Sequence, residues 1–194
     1  MLGLPFVKGV ATLAGMRKDP MTQQVVRGRK MAKIEGDFVV FHIGFRPNNK
    51  IDKFSKWMGD AFESMVEELE NDPKLGFLGG EFYAGTTGTF MVQYWKSTDQ
   101  LNAYARDSTN RHASPWAKLM KMGRESADYG FWHETFEVQA GQYESIFVNC
   151  PPMLLGNCHE TELIQCEGRN NSAAGRAGKT DGSDYPQRLG KPDY

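Results

Sequence analysis

Three of the chain's four tryptophans and two of its four histidines fall within one stretch, Phe90 to Thr135. An imidazole can take up or return a proton near neutral pH, and indoles make large flat walls for an apolar pocket. His112 stands beside Arg111 in a loop just ahead of Ser114-Pro115, a helix-start signal; loop histidines held by rigid elements are commoner in sites than strand ones. His133 lies between Trp132 and Glu134 on a strand, where alternation sends His133 and Glu134 to opposite faces. His112, His133 and Arg111 are therefore the candidates for catalysis. Arg46, Tyr94, Trp95, Tyr104, Trp132, Glu134 and Asn149 are the candidates for contacting a bound molecule. Each has a plainer reading: a histidine satisfied by a backbone carbonyl, an arginine paired with Asp107 or Glu134, tryptophans that are only core.

No nucleotide-binding glycine loop, HExxH helix, nucleophile elbow or paired His/Cys metal spacing is present. Acid–base work on a flat apolar molecule is what these residue types suit. A histidine would take the acidic proton of a phenol, an enol or a polyketide-like substrate, while Arg46, Asn149 or a tyrosine stabilises the oxyanion. The resulting carbanion would react with oxygen directly, eliminate or rearrange, and the residues alone do not choose among these.

The elements that must position these groups are readable from periodicity. Residues 36–46 (GDFVVFHIGFR) are β-branched and aromatic, which argues a strand. One face carries Val39, Phe41, Ile43 and Phe45 and belongs under helices; the other carries Phe38, Val40, His42, Gly44 and Arg46. From Ile51 to Leu69 apolar residues recur at helical spacing until Asn71-Asp72-Pro73 ends the pattern. Residues 75–85 and 89–96 read as a hairpin about Thr86-Thr87-Gly88. Ser97 with Gln100 three residues on forms a capping box for a helix through Tyr104, and a second helical segment runs from Ser114-Pro115 to about Glu125. Tyr129–Gln139 returns as a strand, and Tyr143–Asn149 as a further strand or extended edge. The order βαββαβ is the ferredoxin-like α+β arrangement, an antiparallel sheet with helices on one face. The other face, with Trp95, Phe38 and Val40 placed on it, is too apolar for water, and a second copy packed face to face is the expected cover.

With 194 residues, 40% of them hydrophobic, the chain has material for one core. Its net charge of −1 gives no overall field for nucleic acid. Residues 1–35, however, hold seven basic against two acidic residues; this basic N-terminal arm could rest on a membrane surface or on its own protein. Three cysteines without CxxC spacing fit reduced thiols in a cytoplasmic protein. The domain is expected over 36–156. Residues 157–194, polar and glycine-rich, read as a flexible C-terminal tail.

The segments FHIGFRPNNK, FLGGEFYAGTTGTFMVQYWKSTDQLNAYARDSTNRHASPWAKL and GFWHETFEVQAGQYESIFVNCPPMLLG carry a resemblance over residues 38–156. With YWKS, YARD, RH and WHET in that order, the chain resembles the monooxygenase-like family related to the fumagillin-pathway monooxygenase and the antibiotic-biosynthesis monooxygenases. The resemblance implies a dimeric α+β barrel and cofactor-independent oxygenation of an aromatic, polyketide or terpenoid secondary metabolite, in some fungal members at a membrane. Two alternatives stand beside it. One is a haem-dependent enzyme of the same barrel type, as in aldoxime dehydratases; the other is a barrel that binds a small apolar molecule without turning it over.

Overall fold

A computed structural model describes residues 23–49, 53–86 and 88–185. Its elements are β1 (Val26–Ile34), β2 (Phe38–Pro47), α1 (Lys53–Asn71), β3 (Phe77–Gly85), β4 (Gly88–Trp95), α2 (Thr98–Arg106), α3 (Ala113–Glu125), β5 (Tyr129–Val138), β6 (Phe147–Cys150), β7 (Thr161–Gln165) and α4 (Ala173–Arg176). From β2 to β5 the chain is the expected βαββαβ unit, with the helical half of its second repeat split into α2 and α3. Its four strands form one antiparallel sheet in the order β3-β4-β2-β5, the ferredoxin-like arrangement.

The alternation of β2 sets the two faces of this sheet. Val39, Phe41, Ile43 and Phe45 turn toward the helices, and β4 and β5 add Met91, Gln93, Trp95, Phe131 and His133 to the same side through their register with β2. Val39 lies opposite Trp95, so Trp95 belongs under the helices; its expected place beside Phe38 on the other face is corrected, because neighbours along β4 point oppositely. Val39, Leu69, Met91, Trp95, Leu101 and Tyr104 form one core between sheet and helices. After α1, Asp72 caps a single tight turn, Pro73–Leu75, and Gly76 at φ +84 closes it in the left-handed region. Ser97 Oγ accepts from the Gln100 N–H at 3.2 Å, the expected N-cap of α2. The next helix begins two residues earlier than expected: its cap is His112 and not Ser114, its first residue Ala113 and not Pro115, and Pro115 sits in the first turn, where no backbone donor is needed.

A second sheet, in the order β6-β1-β7, covers part of the opposite face. Ala32, Ile34, Phe38, Leu78, Tyr94 and Leu155 bury one another there, with Val40 packed against them. Phe38 and Val40 are thus covered by the chain itself. The arm and tail boundaries change with this sheet. Residues 26–34, read as part of a basic arm, are β1: Gly28 at φ +94 breaks the alternation, so buried Met31, Ala32 and Ile34 were hidden among the lysines and arginines. Residues 157–185, read as part of a flexible tail, supply β7 and α4. Few aliphatics hold this segment. Hydrogen bonds do: Arg29 Nη2 donates to the Asn171 carbonyl at 2.7 Å, and Arg176 donates to the carbonyls of Asn170 and Asn171 while pairing with Glu144. The segment read as a membrane-contacting arm, residues 1–22, lies outside the described residues, as does the last part of the tail, 186–194. No helix among the described residues is long and apolar enough to cross a membrane.

The rest of that face stays open. Trp132 is 39% and Phe136 47% exposed, and the Trp132 indole lies across Gly44, where a Cβ would meet ring atoms at 2.4 Å.

Candidate functional site

Between the inward face of the four-stranded sheet and the three helices α1, α2 and α3 lies a cavity of about 310 Å³. Trp95, Tyr104, His112 and His133 all line it, which brings together two of the three catalytic candidates and two of the seven contact candidates. The remaining lining is chiefly apolar, from methionines and Phe62 of α1, Phe41 and Ile43 of β2, and Trp116 of α3.

The aromatic rings of the wall run in series. Trp95 meets Tyr104 at 5.8 Å between centroids, Tyr104 meets His112 at 6.0 Å, and His112 stacks on Trp116 at 5.7 Å with only 23° between the planes. Trp116 touches Phe131 edge-on at 5.2 Å, and Phe131 leads to His133 at 6.2 Å. The i, i+4 step from His112 to Trp116 along the start of α3 makes the stack possible. His112 is held well: its carbonyl accepts the Trp116 N–H at 3.0 Å, and its Nδ1 is buried without a hydrogen-bond partner. Burial lowers its pKa, against a weaker upward pull from the Ala105 carbonyl, so the imidazole is neutral at physiological pH and has a lone pair able to accept a proton. His133 occupies the exposed edge strand β5, opposite Ile43, with its ring 5.5 Å from that of Phe41.

Tyr104 is buried at 5% exposure and its hydroxyl donates to Glu68 Oε2 at 2.8 Å. Burial, and then that hydrogen bond, push the phenol far above the ordinary tyrosine range, so it serves as a wall and not as an acid. Arg111 does not line the cavity. Its guanidinium reaches out to Glu67 Oε2 at 2.6 Å and to the Ser64 carbonyl at 3.1 Å, while its backbone N–H donates to Glu68 Oε2 at 3.0 Å. Paired with α1 and not with Asp107 or Glu134, it fastens the loop that carries His112.

The other contact candidates lie elsewhere. Glu134 is on the opposite face from His133, as alternation requires, with its carboxylate 3.6 Å from His42 Nδ1. Trp132 and Arg46 share that outer face, Arg46 exposed and level with Gly130. Tyr94 is packed against Phe38 on the side covered by the second sheet, where burial raises its pKa to about 12. Asn149, at φ +50 in β6, accepts the Gly28 N–H at 2.9 Å through Oδ1 and so secures the irregularity of β1. One lining residue went unread in the sequence. Gln93 is a buried carboxamide, and the signal was available: it stands between Met91 and Trp95 on the inward face of β4.

Sheet, helices and an aromatic-lined cavity between them define a ferredoxin-like α+β protein. The chain belongs to the family described as Monooxygenase af470-like, whose profile matches residues 38–155. It is 30% identical over 154 residues to Monooxygenase af470 of Aspergillus fumigatus, an alignment that takes in 68% of this chain and 54% of that protein. In fold it is similar to aldoxime dehydratase OxdRE co-crystallised with butyraldoxime, with a TM-score of 0.56 at 17% identity over 74% of this chain and 42% of that one. The chain spans about half the length of the relatives it matches.

Proposed function

We propose that the chain is a monooxygenase that acts, without a cofactor, on an aromatic, polyketide or terpenoid secondary metabolite held in the cavity between sheet and helices. Membership of the monooxygenase family supports the reaction class. The single observation that carries the mechanism is a neutral, buried imidazole in an aromatic chamber: His112, stacked on Trp116, with His133 along the same wall.

In this reading the imidazole takes a proton from an acidic methylene or hydroxyl of the substrate. The carbanion so formed passes one electron to dioxygen, and recombination of the radicals forms a carbon–oxygen bond. The imidazolium returns its proton to the peroxide, and loss of water leaves a carbonyl where the methylene stood. One oxygen atom ends in the product and one in water, and the histidine is regenerated. The apolar walls favour this course by excluding water from the carbanion.

A haem enzyme would need an imidazole nitrogen open to iron within the chamber. His112 and His133 are the cavity residues that would hold the iron; a Soret band on the purified protein would favour that reading, and no step is routed through a haem. We also propose that the chain pairs with a second copy through the open sheet face around Trp132 and Phe136.

Anthrone, whose methylene is acidic, and 1-naphthol serve as probes. Under ¹⁸O₂ the protein is expected to give labelled product faster than the protein-free solution. Binding of both probes without faster oxygen uptake would support the non-catalytic barrel instead, and absence of binding would remove the cavity as the site.

A further inference from the structure

We infer that Gln93 is the specificity-determining hydrogen-bond donor of this cavity, orienting a carbonyl or enolate oxygen of the bound molecule; the inference rests on the cavity being the ligand site. Gln93 lines the chamber at 7% exposure, and an amide buried among aromatic and sulfur-bearing side chains is costly unless it is bonded. Its orientation is fixed by chemistry. Trp95 Nε1–H lies 2.9 Å from Gln93 Oε1, and an indole nitrogen only donates, so the oxygen end of the carboxamide must face Trp95. The amino end then faces Met91 Sδ at 3.4 Å, and thioether sulfur is a weak acceptor. An amide NH₂ has two hydrogens. Sulfur engages one, and the second meets no acceptor among the described residues.

Tyr104 and Arg106 also bring polar groups to the wall. The Tyr104 hydroxyl is given to Glu68, and Arg106 is the exposed last residue of α2. Gln93 thus offers a donor with a spare hydrogen in a wall that also holds two imidazoles. That pairing of donor and base suits a molecule whose oxygen gains negative charge as its proton leaves. It also rejects a hydrocarbon of the same shape, because the hydrocarbon leaves the N–H unpaired.

The test compares 1-tetralone with tetralin, bicyclic molecules of one shape that differ by the carbonyl oxygen. Affinities are measured by calorimetry for the wild-type protein and for Gln93→Met and Gln93→Leu, with near-ultraviolet circular dichroism to check the Trp95 environment. The wild type is expected to prefer the ketone by about fivefold, the worth of one neutral hydrogen bond. Both variants are expected to lose that preference, with tetralin bound more tightly than by the wild type because no N–H is left unpaired. Equal affinity of the wild type for the two molecules, or a preference that survives in the variants, overturns the role of Gln93 and leaves the cavity as the ligand site. If neither molecule binds the wild type, the cavity reading falls, and the inference falls with it. The wild-type comparison decides even if a variant fails to fold.

Discussion

One carboxylate fastens the histidine loop to α1, and its removal has a calculable cost. Glu68 Oε2 accepts both from the Tyr104 hydroxyl, at 2.8 Å, and from the Arg111 N–H, at 3.0 Å, so that it ties the end of α2 and the residue before His112 to the same point. A hydrogen bond to a charged acceptor contributes about 1.5–3 kcal/mol, and the partial exposure of Glu68 places these two at the lower end. Tyr104→Phe removes one bond and should cost about 1.5 kcal/mol. Glu68→Ala removes both and leaves a buried phenol unpaired, for about 3 kcal/mol. In a chain of this size each kcal/mol lowers Tm by about 2–4 °C, so the two variants should melt about 3–6 °C and about 6–12 °C below the wild type. In the double variant the Tyr104→Phe cost should vanish almost entirely, a coupling of about 1.5 kcal/mol. Denaturant titration of the four proteins measures it. Costs that simply add, with no coupling, would refute the shared anchor.

Burial of His112 makes stability depend on pH. Its folded pKa lies below the ordinary value of about 6.5, so the unfolded chain takes up the proton first; stability is full above that value and falls as pH drops toward the lower folded pKa. His112→Phe should flatten that part of the profile in thermal melts between about pH 7.5 and about pH 5.5. Arg176→Ala strips the bonds to the Asn170 and Asn171 carbonyls and leaves Glu144 without its partner; with the arginine side chain 5% exposed, the loss should be about 3 kcal/mol, and limited proteolysis should then cut within residues 168–182. Trp132→Glu places a charge on the open sheet face and should convert the proposed dimer to a monomer in light scattering, without altering the fold seen by circular dichroism.

The helix side of this protein was legible because local pattern and burial agree there. The alternation Val39, Phe41, Ile43, Phe45, the helical spacing through α1 and the Ser97 cap each depend on residues within a few positions of one another. The convergence of His112, His133, Trp95 and Tyr104 follows from that same local frame. What was not legible depends on distant partners. β1 is a strand because β6 and β7, more than a hundred residues on, pair with it, and its bulge at Gly28 breaks the period that would have shown it. The tail folds through arginine-to-carbonyl bonds, which leave no apolar trace in composition. Asn149 and Arg111 look like site residues by type, yet one stabilises an irregular strand and the other a loop. Gln93 is hard to read for the reverse reason: it is a modest amide whose importance depends on burial.

The central claim is that a buried neutral imidazole in this chamber takes the proton that starts oxygenation. Oxygen-electrode rates with anthrone for the wild type, His112→Ala and His133→Ala test it most directly. Loss of general-base catalysis should lower turnover by about 10²–10⁴-fold in the histidine that acts, with His112 expected to be that residue and anthrone still bound. Full oxygen consumption by both variants would contradict the account.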